Sequence, residues 1–401
     1  MRVAPLRIAM VSPLEMRVPP IAYGGTELVV SLLTEELVRR GHDVTLYAAG
    51  DAITSAKLVS VCPTFLRGSG RDSAVLTMLN VADCLEHADD FDIIHNHTLL
   101  EGMATAGLVD TPMLTTLHGG LDQDTRILFR RYQGWYCTIS RSAKELLPSL
   151  TGGPRSLGPR HLSHDRFAGV VYNAIDAPEY PFNPGPREDY LLFLSRISEE
   201  KGPHIAIEVA RMLGKRLVIA GNVNEPDRPF FESQVLPKVD GDRVRYIGEV
   251  DYPAKKRLLN SAACLLAPIT WNEPFGLFMA EANVCGMPVI VFHHGSAPEV
   301  VRHGVTGFVV ETPEEMAAHV ERIREIDPAA CRRHVEECFN VARMTDDYLA
   351  AYALAIKGAS RSPALSGMHV SADGVSGDGA GSTEDIEELV VHTRAHQGRA
   401  A

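Results

Sequence analysis

The feature that most constrains the fold is an alternation of strand-like and helix-like stretches that runs through the chain twice. Arg7 to Ser12 is a short apolar run, Thr26 to Arg40 carries Val29, Leu33 and Leu37 on one helical face, Gly41 stops it, and Asp43 to Ala49 is apolar again. A helical period between two short apolar runs reads as a β-α-β unit, and its repetition predicts a parallel, doubly wound sheet. The pattern returns at Asp92 to His95, Pro112 to Thr116 and Trp135 to Ile139. Asn173 to Pro186 is then rich in Pro and Gly and weak in periodicity, so it reads as a link. A second series opens at Tyr190 to Leu194 and continues with Arg216 to Ala220, Val244 to Ile247, Ala263 to Ala267, Val289 to Phe292 and Gly307 to Val310. The expected organisation is a first domain over 1–176, a linker over 177–189 and a second domain over 190–340. Ligands bind outside the carboxyl ends of the strands in such sheets, where Gly24-Gly25 and His118-Gly119-Gly120 fall.

Composition agrees with two domains and excludes some functions. A chain of 401 residues, 45% hydrophobic, can fill two cores. A formal charge of −12 argues against a nucleic-acid binder, which needs a basic face. Residues 120–170 run the other way, with eight Arg/Lys against four Asp/Glu, a candidate contact for an anionic substrate or for membrane headgroups. Seven scattered cysteines with no C-x-x-C pair read as small buried hydrophobes of a reducing compartment, so the expected location is cytoplasmic or membrane-peripheral. Ile8 to Val11 is too short for a signal-peptide core, and no stretch approaches the roughly 20 apolar residues of a membrane span. Residues 358–401 are mostly Gly, Ser, Ala and Asp and read as disordered, apart from a candidate helix at Thr383 to Thr393.

The chemistry centres on Trp271-Asn272-Glu273-Pro274-Phe275-Gly276-Leu277-Phe278-Met279-Ala280-Glu281, where two carboxylates stand eight residues apart. Pro274 is preset for a first helical turn and Phe275 to Asn283 are helix formers, so a helix is predicted to start just after Glu273. Glu273 then sits in the loop and Glu281 inside the helix. Free N–H groups at the positive end of the helix, with Gly276 admitting a close approach, form an anion site. Two carboxylates beside a bound anion need hydroxyls to accept from. The ligand that offers both phosphate and hydroxyls is a nucleotide sugar.

Glu273 and Glu281, followed by Ala282-Asn283-Val284-Cys285-Gly286-Met287-Pro288-Val289-Ile290, resemble the paired-glutamate motif of the retaining glycosyltransferases of family 4. The resemblance implies an α/β chain of GT-B architecture, with two Rossmann-like doubly wound parallel-sheet domains facing across a cleft. It implies that Arg343 to Ile356, within 341–357, is the terminal helix that returns to the first domain. It also implies transfer of a hexose from a nucleotide-diphosphate sugar, UDP or GDP sugar foremost, to an acceptor hydroxyl with retention. Glu281 would accept from the ribose diol and Glu273 from sugar hydroxyls, while the main chain around Gly276, Leu277 and Phe278 would meet the diphosphate and Pro274 and Phe275 would belong to the same substrate-binding run.

Further positions follow the same resemblance. Arg196 and Lys201, in Ser195 to Gly202 after the first strand of the second domain, match the cations that hold the diphosphate; fixed cations stabilise charge growing on a departing phosphate. Gly24 and Gly25 match the glycine loop of the first domain, and His118 the sugar-facing histidine. Asn173 lies in a strand-end segment where Ala174 replaces the usual Gly. Gly221, Gly248 and Val250 end strands where the base is met through main chain, which leaves the base unnamed. His95 and His97 read as structural or cleft-lining. Asp90-Phe91-Asp92 and Asp122-Gln123-Asp124 fit D-x-D, but the first falls at the wrong end of the sheet and Arg196 with Lys201 supplies the charge, so no essential metal or cofactor is expected. The basic stretch Arg126 to Tyr132, with Arg130 and Arg131, is a candidate contact for an anionic or lipid-linked acceptor, and Thr151 to Asp165 is longer than the family leads one to expect. Two alternatives are a nucleotide-sugar 2-epimerase of the same architecture and a non-catalytic nucleotide-sugar-binding protein.

Overall fold

The computed structural model describes residues 4–119, 125, 128, 132, 134–147 and 166–359. Gly120, the Asp122-Gln123-Asp124 triplet, Arg130 and Arg131, the 151–165 loop and the chain beyond Ala359 lie outside the described residues. Gly358 and Ala359, read from composition as the start of the tail, instead complete a helix.

Among the described residues the strands form two all-parallel sheets. The first contains β1 (Arg7–Val11), β2 (Asp43–Tyr47), β3 (Lys57–Val59), β4 (Ile93–Asn96), β5 (Met113–Leu117), β6 (Trp135–Thr138) and β7 (Phe167–Val170), in the order β3-β2-β1-β4-β5-β6-β7. The second contains β8 (Glu188–Leu194), β9 (Arg216–Ala220), β10 (Val244–Tyr246), β11 (Ala262–Ala267), β12 (Val289–Phe292) and β13 (Gly307–Val310), in the order β10-β9-β8-β11-β12-β13. This is the GT-B arrangement of two doubly wound α/β domains. Strands such as β4, β5 and β12 are buried along their whole length, as helices on both faces require. Each sheet reverses its order once, between β1 and β4 and between β8 and β11, so the loops leaving those strands diverge and open a crevice.

Several boundaries differ from the sequence reading for local reasons. β3 is an edge strand of three half-exposed residues, too short and too little apolar to register as a period. β8 starts at the exposed pair Glu188 and Asp189, inside the predicted linker. The helix expected just after Glu273 spans Leu277–Val284 instead. Gly276 caps it with φ +75°, a left-handed conformation that cannot continue a right-handed helix, so Pro274 and Phe275 belong to the loop.

The terminal helix Val341–Ala359 crosses back to the first domain. Met344, Tyr348, Ala351, Tyr352 and Ala355 recur at helical spacing and bury their stripe beside Val29, Leu33 and Leu37 of the first helix, Gly25–Arg39. The two crossings of the chain are paired, since the Ile175 N–H donates to the Phe339 carbonyl at 2.7 Å. Replacing Tyr348, which is fully buried, by Ala is expected to cost about 3–5 kcal/mol, read as a fall in the urea midpoint.

Candidate functional site

A cavity of about 380 Å³ lies between the carboxyl ends of the two sheets. The first domain lines it with Gly24, Gly25, His118 and Asn173. The second contributes Arg196, Lys201, Gly221, Val250, Glu281 and the run Glu273-Pro274-Phe275-Gly276-Leu277-Phe278. The sequence-predicted residues therefore meet at one place, with Gly248 the exception. It stands behind the wall, its carbonyl accepting the Gly221 N–H at 2.8 Å, and supports the lining without belonging to it.

Each glutamate is buried with a lysine and an aromatic donor of its own. Glu273, leaving β11, accepts from the Lys201 ammonium and from Trp271 Nε1–H at 3.0 Å, and the same ammonium lies over the Trp271 ring at 4.8 Å. Glu281, one turn into its helix, accepts from Lys255 Nζ at 2.5 Å and from the Tyr180 hydroxyl at 2.7 Å. Burial and the charge of Glu281 push the Tyr180 hydroxyl upward, so it stays a donor. Lys255 and Tyr180 were not found from the sequence. Lys255 comes from the helix Tyr252–Ser261 and Tyr180 from the linker, and the only signal for either was an aromatic residue inside a Pro- and Gly-rich stretch.

The cations of the cleft are already partnered. Lys201 spends one of three N–H donors on Glu273, while Arg196 bonds Glu200 and stands 3.7 Å from Asp227. Lys201 reaches the cleft because Gly202 passes tightly beneath the end of β11: a Cβ there would lie 2.1 Å from the Pro268 carbonyl oxygen. Met279 N–H donates to the Gly276 carbonyl at 2.9 Å, but the N–H groups of Leu277 and Phe278, at the very start of the helix, have no carbonyl one turn back within it, and both residues line the cavity. Asn173 also lines it, with its buried Oδ1 lacking a hydrogen-bond partner. The methyl group of Ala174, where a Gly was expected, is fully buried in the first-domain core.

On the first-domain side Gly24 caps the first helix, and Glu27, in its first turn, is buried beside that glycine loop. Burial raises its carboxyl to about 7, with Glu15 adding and Arg67 and its own backbone N–H subtracting. His118 follows β5 and is hydrogen-bonded to His97, which with His95 lies buried behind the cavity wall. Asp92 of the first D-x-D sits at the opposite end of the sheet, 2.8 Å from Arg7.

Two family models match this chain. The one described as Glycosyltransferase Family 4 spans residues 23–149, and the one described as Glycosyl transferases group 1 spans residues 178–335. The chain belongs to glycosyltransferase family 4. The alpha-maltose-1-phosphate synthase of Mycolicibacterium smegmatis is 27% identical over 86% of this chain and 99% of its own length. Sucrose-phosphate synthase from Thermosynechococcus elongatus shares the fold with a TM-score of 0.70 at 18% identity, covering 88% of this chain and 100% of its own. Anabaena HepE, solved in complex with UDP and glucose, does so with a TM-score of 0.65 at 19% identity, covering 87% and 99%. The glycosyltransferase has no helix, among the described residues, long and apolar enough to cross a membrane.

Two outcomes are expected. Lys201→Met strands the buried Glu273 carboxylate and should destabilise this glycosyltransferase by about 3–5 kcal/mol in urea unfolding, whereas Lys201→Met with Glu273→Gln should recover most of that. The Glu27 carboxyl binds its proton more tightly folded than unfolded, so its contribution to stability is full below about pH 4.5 and is lost, by ~3 kcal/mol, as pH rises to about 7; Glu27→Gln should remove that part of the pH dependence.

Proposed function

We propose that this glycosyltransferase moves a hexose from a UDP or GDP sugar to an acceptor hydroxyl with retention of anomeric configuration and without an essential metal. The observation that carries the reading is the pair of buried glutamates, each with its own ammonium, flanking a helix start in a cavity between the domains. On this reading Glu281 accepts from the ribose diol and Glu273 from hydroxyls of the sugar. The N–H groups of Leu277 and Phe278 meet the diphosphate, together with Arg196 and the two donors that Lys201 has left. Gly24 and Gly25 admit the sugar and phosphate closely, and Asn173 and His118 bond the sugar. Gly221 and Val250 approach the base, with Gly248 behind them.

The proposed reaction is the one the family resemblance implies. As the bond from the anomeric carbon to the phosphate oxygen breaks, charge grows on the diphosphate where Arg196, Lys201 and the helix start stabilise it. The acceptor oxygen bonds to the same face of that carbon, and the departing phosphate takes the acceptor proton. These cations do the work a divalent ion would do, which is the reason no metal is assigned. UDP and glucose bound to Anabaena HepE support a UDP sugar as the first donor to test. An anionic or lipid-linked acceptor, or a membrane surface, met through the basic 120–170 region, is part of the proposal, although Arg130 and Arg131 lie outside the described residues.

Calorimetry with UDP, GDP and ADP is expected to show binding of one at micromolar to millimolar concentration, and absence of all three at millimolar concentration overturns the reading. With the matching sugar donor, Lys201→Ala should lower kcat by about a hundredfold or more in a coupled assay.

A further inference from the structure

Three histidines fill the carboxyl ends of β4 and β5 behind the cavity. His97 Nδ1 and His118 Nε2 are 2.7 Å apart with their rings stacked, centroids 5.0 Å apart. His95 lies against His97 with centroids 4.0 Å apart, but its own nitrogens are taken by the Tyr352 hydroxyl at 2.7 Å and the Thr116 hydroxyl at 2.8 Å. His97 Nε2 is buried with no hydrogen-bond partner. We propose that His97 is a positioning residue that holds His118 in its Nδ1–H tautomer, so that the nitrogen left to the cleft is a hydrogen-bond donor.

Burial keeps both rings neutral, with His118 pushed down to about 4 and His97 well below its ordinary value, so each ring carries one proton. A proton on His97 Nε2 would be a buried donor with no acceptor, and such orphaned donors are rarer than unfilled acceptors. The proton therefore sits on His97 Nδ1 and points at His118 Nε2, whose lone pair accepts it. That bond fixes the proton of His118 on Nδ1, because the partner of one ring nitrogen sets the state of the other. His118 lines the cavity, so it offers an N–H to an oxygen lone pair of the ligand. Only the identity of that ligand, a nucleotide sugar, rests on the function proposed above.

The tautomer can be read without turnover. Long-range ¹H–¹⁵N correlation spectra of the ligand-free full chain are expected to show His118 protonated at Nδ1, and protonation at Nε2 overturns the proposal. His97→Asn puts an amide donor near the place of Nδ1 and should keep that signature, whereas His97→Leu should lose it. In kinetics with the matching donor, His97→Leu should lower kcat roughly tenfold, with the Kd of UDP within about twofold of the unsubstituted chain, and His97→Asn should recover most of the loss. A His97→Asn variant as impaired as His97→Leu overturns the proposal. Failure of the unsubstituted chain to bind UDP, GDP or ADP would remove the nucleotide-sugar reading while leaving the tautomer signature in place.

Discussion

A buried ammonium against a buried carboxylate ties the site together. Lys201 leaves β8 and Glu273 leaves β11, strands 72 positions apart in the pair's sequence separation yet neighbours in the sheet because the order reverses between them. The pair is costly to bury and stays only because each charge satisfies the other, with Trp271 supplying a further donor to the carboxylate. Removing it would leave the diverging loops without their electrostatic anchor. The second pair, Lys255 with Glu281, repeats the solution one helical turn deeper.

The same economy of charge governs the contact between domains. Glu299 of the second domain accepts the Arg141 and Ser142 N–H groups at 2.9 and 2.8 Å and the Tyr172 hydroxyl at 2.6 Å, capping a short helix of the first. Beside the cavity Arg67 of the first domain reaches Asn224 at 3.3 Å and Glu249 at 3.6 Å. A carboxylate at a helix start and an arginine between two acceptors are polar, directional ties, unlike the apolar seal of the terminal helix on the first domain.

Much of the architecture was legible because apolar period is a local property. Arg216 to Ala220, Val289 to Phe292 and Gly307 to Val310 fall where their runs of apolar residues end. The terminal helix was legible too, since its buried stripe recurs every three or four residues. β3 was not, because an edge strand of three residues leaves no pattern. Pro274 points to a helix start earlier than the real one: a proline permits a first turn, but the left-handed Gly276 forbids the helix from including it.

What the sequence by itself determined was the alternation of strands and helices, and the spacing that sets one glutamate in a loop and the next in a helix, since both depend on neighbours along the chain. Which cation faces which acid was decided only in three dimensions. Lys255 and Tyr180 reach Glu281 from a distant helix and from the linker, and His97 reaches His118 across adjacent strands. Such pairings depend on sheet order and crossover, and no local period encodes them.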